Sequence, residues 1–121
     1  MEIINKILQK TDIGARLSFP TGKLGCLGEW EGQSYYVDLN VRDSKQKLWA
    51  FRCRKRRSGR HPKPWLCGEW LEFVEHYGLR VGDRVVLVRE DHPVLGPQYM
   101  IEAKRRIILL GHEIWADVVA V

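Results

Sequence analysis

The side chains best placed to do chemistry are the cations of one stretch, Arg52-Cys53-Arg54-Lys55-Arg56-Arg57-Ser58-Gly59-Arg60-His61-Pro62-Lys63. Their chemistry is anion binding. Between Asp43 and Glu69 there is no acidic residue, while Lys45, Lys47, Arg52, Arg54, Lys55, Arg56, Arg57, Arg60 and Lys63 supply nine positive charges. The rest of the chain holds 11 Lys and Arg against 15 Asp and Glu, a net −4, so the overall +5 understates the local field. Such segregation of sign points to a polyanionic partner. Arg outnumbers Lys in the run, and its planar fork matches phosphate, or the O6/N7 edge of guanine, with two hydrogen bonds. A solvated charged loop is the competing reading of any such run.

Catalytic chemistry is thinly represented. Glu69, Glu72 and Glu75 recur every three residues and resemble paired carboxylates, but on a helix they read as a solvated stripe. Metal-assisted hydrolysis needs clustered ligands, and His61 is the only other candidate nearby, so neither an enzyme nor a cofactor is expected. Cys26, Cys53 and Cys67 are odd in number and lack CxxC spacing. They indicate neither a disulfide framework nor a zinc ribbon, and Cys53, His61 and Cys67 match no usual zinc pattern. Single strands are held by stacking on exposed rings. Trp30, Tyr35, Tyr36 and Trp65 are available for that role, although strand alternation assigns most of them to the core.

The elements that must position the basic run are legible on either side. Leu48-Trp49-Ala50-Phe51 precedes it and Trp65-Leu66 follows it, so both feet should be fixed in a core. Within it Ser58-Gly59 offers a turn, and Pro62 and Pro64 favour an extended path. Gln33–Arg42 and Gln46–Arg54 read as a hairpin about Asp43-Ser44-Lys45, with Trp49, Phe51 and Cys53 on one face and Ala50, Arg52 and Arg54 on the other. Trp70, Phe73, Val74 and Tyr77 fall at helical spacing, and Gly78 stops that helix. Arg84–Arg89, Tyr99–Lys104, Ile107–Leu110 and Ile114–Val121 read as strands, with a loop at Pro93, Gly96 and Pro97. Lys104-Arg105-Arg106 forms a second basic cluster between two of them.

Towards the start, Glu2–Thr11 fits a helix or a strand equally well. Leu17-Ser18-Phe19-Pro20 alternates like a short strand. Thr21–Gly32 is rich in glycine and predicts a loop with at most one helical turn around Lys23–Leu27, Leu24 and Leu27 plugging the core. A length of 121 residues with 45% hydrophobic content predicts one domain. No apolar run is long enough to cross a bilayer, and the opening residues lack a secretory layout. An intracellular location is expected.

The order of these stretches resembles that of the plant-specific B3 DNA-binding domain. Leu8-Gln9-Lys10-Thr11-Asp12-Ile13-Gly14 with Arg16-Leu17-Ser18-Phe19-Pro20 looks like the family's opening, and Trp49-Ala50-Phe51-Arg52 like its central W-x-F-R. Trp65-Leu66-Cys67-Gly68-Glu69-Trp70-Leu71-Glu72-Phe73-Val74 is similar to its helix, and Leu79-Arg80-Val81-Gly82-Asp83-Arg84-Val85-Val86-Leu87 to the L-x-x-GD strand after it. The resemblance is strongest over 7–90, with 111–121 as a C-terminal extension.

The resemblance implies a mainly β fold, an open seven-stranded β-barrel (the B3 pseudobarrel) with one or two short α-helices, and it turns Glu2–Thr11 into strand. It also implies sequence-specific binding of double-stranded DNA in transcriptional regulation, in the nucleus. Two arms would enter the major groove, one at Ile13–Leu17 and the other at Arg54–Lys63. Gly14, Ala15 and Arg16 make the first arm, shorter than the common form, with Arg16 as its base reader. Arg54, Arg56, Arg57, Arg60, His61 and Lys63 supply most contacts of the second, led by Arg56. Lys55, Lys104, Arg105 and Arg106 are assigned to the phosphate backbone. No metal, membrane or small-molecule substrate is expected. The alternatives are the DNA-recognition module of a nuclease and a single-stranded nucleic-acid binder.

Overall fold

A computed structural model describes residues 1–28, 30, 35–57 and 59–120. In chain order it comprises β1 (Glu2–Ile7), α1 (Lys10–Gly14), β2 (Leu17–Ser18), a 3-10 helix (Thr21–Leu27), β3 (Tyr36–Asp43), β4 (Leu48–Arg54), β5 (Trp65–Gly68), α2 (Trp70–Tyr77), β6 (Arg84–His92), β7 (Gly96–Leu109) and β8 (His112–Asp117). Seven strands lie in one curled sheet in the order β1-β6-β7-β3-β4-β5-β2, and β8 adds to β7 off that path. All neighbours are antiparallel except β3 and β7, whose parallel pairing of Val41, Arg42 and Asp43 with Tyr99, Met100 and Ile101 joins the two halves. The terminal strands β1 and β2 do not pair with each other, so the barrel stays open, as the resemblance implies.

The core follows from the periodicities. Trp49, Phe51 and Cys53 point inward from β4 and are buried, as alternation requires. Burial pushes the Cys53 thiol up to about 12, so it is an inert packing group. The four apolar residues of α2 meet that face. The Phe73 ring lies 5.3 Å from that of Trp49, 5.8 Å from Phe51 and 5.6 Å from Trp70. Gly78 ends α2 in the left-handed conformation at φ 57°, where a side chain would be strained.

Two devices anchor β4 to its neighbours. At Gly68, φ is 75° and an added Cβ would lie 2.7 Å from the Ala50 carbonyl oxygen; only glycine lets β5 approach β4 so closely before turning into α2. The second device is Asp43, buried at the β3–β4 turn. Its Oδ1 accepts from the amides of Lys45 and Lys47, both at 2.9 Å, and its Oδ2 accepts from Trp49 Nε1 at 3.0 Å and from the Tyr77 hydroxyl. Burial pushes the Asp43 pKa up, but those four hydrogen bonds outweigh it and hold the carboxyl below its ordinary range.

Several sequence expectations need correction. Lys10 and Thr11 are not strand; they open α1, where Asp12 Oδ2 accepts from the Gln9 amide at 2.7 Å and closes a capping box. The glycine-rich stretch coils as a 3-10 helix along Thr21–Leu27, longer than a single turn, with Leu27 buried and Leu24 packed against the core. Gly96 and Pro97 open β7, which runs unbroken through Lys104-Arg105-Arg106. The charges do not break it because each has a partner beside the strand. The first hairpin strand begins at Tyr36, Gln33 and Ser34 lying outside the described residues. The last strand starts at His112 and stops at Asp117; Val118 is buried beyond it, its amide donating to the Ala103 carbonyl at 3.0 Å. No helix among the described residues is long and apolar enough to cross a membrane.

Candidate nucleic-acid interface

Strand register assembles the basic surface row by row. On the outward face Tyr36 stands opposite Arg54, Arg54 opposite Trp65, and Trp65 opposite Ser18. In the adjacent row Asp38 faces Arg52 and Arg52 faces Cys67. Ring, cation and ring therefore alternate across β3, β4 and β5, and Ser18 of β2 ends the row.

The rings act as seats for the cations. The Arg52 guanidinium lies 4.1 Å from the Tyr36 ring centroid and that of Arg54 5.7 Å from the same ring. Arg16 sits 4.5 Å over Trp65, Lys55 4.6 Å over Trp30 and Arg57 5.4 Å over Tyr35. Expected mostly in the core, these four aromatics are instead half-buried or, for Tyr36, exposed. Alternation alone misassigns them because β3 starts only at Tyr36 and β5 turns Trp65 outward. A ring face attracts a cation without occupying its N–H donors as a carboxylate would. Arg52 has one acidic partner as well: its Nε and Nη2 donate to Asp38 at 2.6 and 3.1 Å. That hydrogen bond and the nearby charge hold the Asp38 carboxyl below its ordinary range.

The arm at 55–64 leaves this face with both feet tied. The Lys55 amide donates to the Tyr35 carbonyl at 2.9 Å, the Arg56 amide to the Pro62 carbonyl at 2.7 Å, and the Phe19 amide to the Pro64 carbonyl at 3.0 Å. Pro64 is buried. Between the feet Arg56, Arg57, Arg60, His61 and Lys63 are exposed, as is Arg54 at the end of β4. Gly59 has φ 102°, and the Arg56 guanidinium lies 3.6 Å from the position its Cβ would take. Arg56 thus folds over the turn; Ser58, the other expected turn residue, lies outside the described residues.

The shorter arm comes to the same place. After α1, the amides of Ala15 and Arg16 both donate to the Thr11 carbonyl, at 3.0 and 3.2 Å. Trp70 Nε1 donates to the Asp12 carbonyl at 2.7 Å and fixes this turn to α2. Gly14, Ala15 and Arg16 are exposed. Because Leu17 pairs with Leu66, Arg16 lies beside the second foot of the long arm. The structure therefore brings both predicted arms together.

Lys104, Arg105 and Arg106 lie elsewhere and have a different environment. Lys104 Nζ pairs with Asp117 at 2.5 Å and with Glu102 at 3.8 Å, and Arg106 Nε with Glu113 at 2.9 Å. Arg105 Nε and Nη2 donate to the buried Asp83 at 2.9 and 2.8 Å. Burial pushes the Asp83 pKa up, and the Arg105 fork, with the Arg80 amide, overrides that and lowers it.

The carboxylates of Glu69, Glu72 and Glu75 are exposed, and Glu69 Oε1 accepts from the Ala50 amide at 2.6 Å. Cys53 and Cys67 point to opposite faces, as their register with Leu66 and Arg52 dictates. Among the described residues no group of three His, Cys, Asp or Glu side chains converges as metal ligands.

No family model and no curated protein matches the sequence. Solved structures do match. An Arabidopsis FUS3–DNA complex superposes with a TM-score of 0.68 at 19% identity, covering 85% of this chain and 96% of that one. The Arabidopsis thaliana transcription factor LEC2 in complex with DNA gives 0.67 at 18% identity, covering 85% of this chain and 92% of that one. Both are B3 domain proteins, and the fold of this chain is the B3 pseudobarrel.

Proposed function

We propose that this chain reads double-stranded DNA by sequence, gripping the major groove with its two arms, and acts in transcriptional regulation without catalysis. The observation that carries the proposal is the convergence of Arg16 and the tied arm 55–64 on one face, where cations rest on rings. The fold shared with two DNA complexes supports the same partner. Fixed feet lower the entropy lost on binding, and cations held by rings keep N–H donors for base edges and phosphates. Base reading is assigned to Arg56 first, then to Arg57 and Arg16, with Arg54, Arg60, His61, Lys63 and Lys55 registering the arm on the duplex. Gly14 and Ala15 let the short arm approach closely. Lys104, Arg105 and Arg106, expected from the sequence to meet phosphates, are assigned to internal pairing because each already holds a carboxylate. A nuclear location follows from the proposed role.

Selection of bound duplexes from a random-sequence pool at roughly physiological salt tests this reading, because nonspecific affinity is weak there. One short motif should be enriched. On that motif Arg56→Ala should cost about 1–3 kcal/mol and relax a single base position. Equal losses on every sequence would make Arg56 a phosphate contact, and a pool bound only at low salt with no enrichment would sink the proposal.

A further inference from the structure

At the end of the sheet away from the long arm, a cleft of about 540 Å³ opens between the turn 80–83 and the β7–β8 hairpin. The register creates it. Arg84, the first residue of β6, lies opposite Lys104, yet β7 continues to Leu109 with only β8 beside it, so the hairpin overhangs the turn. Tyr36, beside the arms, begins β3, whereas this cleft follows the β7 residues paired with the far end of β3. From Tyr36, beside the long arm, the path along the strands is roughly 30 Å; the short arm is nearer, because Leu8, just before α1, exchanges backbone hydrogen bonds with Gly82 and Asp83 of the turn.

Arg80, Arg84, Arg105 and Arg106 line the cleft against two carboxylates, Asp83 and Glu113. Arg105 is occupied by Asp83. Arg84 has no carboxylate partner among the described residues: its Nη1 donates to Asn5 Oδ1 at 2.6 Å and its guanidinium lies 4.5 Å over the Trp115 ring. Its Nε is buried with no hydrogen-bond partner among those residues. Arg106 is paired with Glu113, so the cations left to a ligand are Arg80 and Arg84. Beside these cations stand apolar side chains that nothing covers: Ile7 is 45% and Val81 57% exposed. Guanidinium donors interspersed with apolar surface suit a ligand that carries both kinds of group, and a phosphate backbone carries only one.

We infer that this cleft docks an extended peptide segment of a partner protein in which acidic and apolar side chains are interspersed. Its carboxylates take Arg80 and Arg84, and an apolar side chain lies against Trp115, Ile7 and Val81. The net positive lining selects the acidic partner, and the exposed aliphatic rim selects the apolar one. None of the cleft's lining residues is assigned to either arm, so the protein can hold DNA and this partner together.

The test titrates the 15N-labelled full chain with a short peptide alternating Asp and Leu at roughly physiological ionic strength, beside Asp–Ser and Lys–Leu peptides as controls. The Asp–Leu peptide should shift amides at 80–84, 104–106 and 113–116 and the Trp115 indole N–H, leaving 55–57, 59–61 and 63 unmoved. Arg84→Ala, or Arg80→Ala at an exposed position outside the strands, should weaken it at least about ten-fold, as loss of a charge-assisted hydrogen bond implies. Shifts centred on the arm, equal binding of the Asp–Ser peptide, displacement from the cleft by duplex DNA, or no shift at all would each overturn the inference.

Discussion

The arm at 55–64 and the basic cluster on β7 are built from the same residue types and are put to opposite uses. Around the arm the cations rest on Trp65, Tyr36, Tyr35 and Trp30, with Asp38 as the one carboxylate paired among them in the described residues. On β7 each cation meets a carboxylate: Lys104 has Asp117, Arg105 has Asp83 and Arg106 has Glu113. The partner decides the role. A ring steadies a guanidinium and leaves its charge and donors available, whereas a carboxylate uses both. Positive charge in a sequence therefore marks a binding surface only when the acids are elsewhere in space as well as in sequence.

The comparison breaks most visibly if Arg105 is removed. Asp83 is buried and, among the described residues, would keep only the Arg80 amide as a donor. Arg105→Ala should therefore destabilise the fold by about 2–4 kcal/mol, a figure kept below that for a fully buried pair because Arg105 is partly exposed. Urea melts would measure it, and the affinity of the folded protein for its selected duplex should be unchanged. A pH signature accompanies the loss. The folded-state pKa of Asp83 lies below its unfolded value, so its contribution is fully present above about pH 4 and is lost as pH falls through the folded pKa. The variant should lack that part of the acid limb. Lost DNA affinity with unchanged stability would instead place Arg105 with the arm.

Legibility of the sequence divides along the same line. Periodicity exposes β4, α2 and β6 because a single rule, apolar residues facing inward, governs each of them. The four ordered stretches add the open barrel, but the parallel closure of β3 on β7, which no local pattern encodes, emerges only in the structure. Arg16 was assigned to the short arm only by the resemblance, whereas the cations of the long arm were visible as composition. Their seats were not: that Tyr36 lies under Arg52 and Arg54, or Trp65 under Arg16, depends on cross-strand register and on strand starts that alternation fixes poorly. The same blindness split β7 at Lys104-Arg105-Arg106, since Asp83, Glu113 and Asp117 are brought beside the strand only by the fold. The available hint was that Trp30, Tyr35, Tyr36 and Trp65 were rings within reach of the basic run, but composition alone did not say which would be exposed.

Removing a seat while leaving the cation in place sharpens the comparison. Tyr36 supports two guanidiniums and is 46% exposed, so Tyr36→Leu should leave stability within about 0.5 kcal/mol. Affinity for the selected duplex should fall by about 0.5–1.5 kcal/mol, the range of such ring–cation contacts near a surface. Tyr36→Phe keeps the ring and should bind like the parent. If Phe lost as much as Leu, the hydroxyl would be the acting group and the ring seat would be incidental. A loss of stability matching the loss of affinity would make Tyr36 a folding residue.

The finest distinction lies in salt dependence, where the expected change is small and the contrast between the two regions is direct. Each phosphate contact releases condensed counterions, so log Kobs falls against log salt with a slope of about −0.9 per contact on duplex DNA. Arg57 is exposed, faces only the Tyr35 ring among the described residues and has a guanidinium to give to a phosphate. Arg57→Ala should make the slope shallower by roughly one unit. Lys104 is held by Asp117 and Glu102, and exchanging those carboxylates for a phosphate would leave two acids uncompensated beside the DNA. Lys104→Ala should therefore leave the slope where it was. Equal flattening by both substitutions would show that bound DNA strips Lys104 from its carboxylates, and the partner seen in the free protein would then not decide the role of a cation.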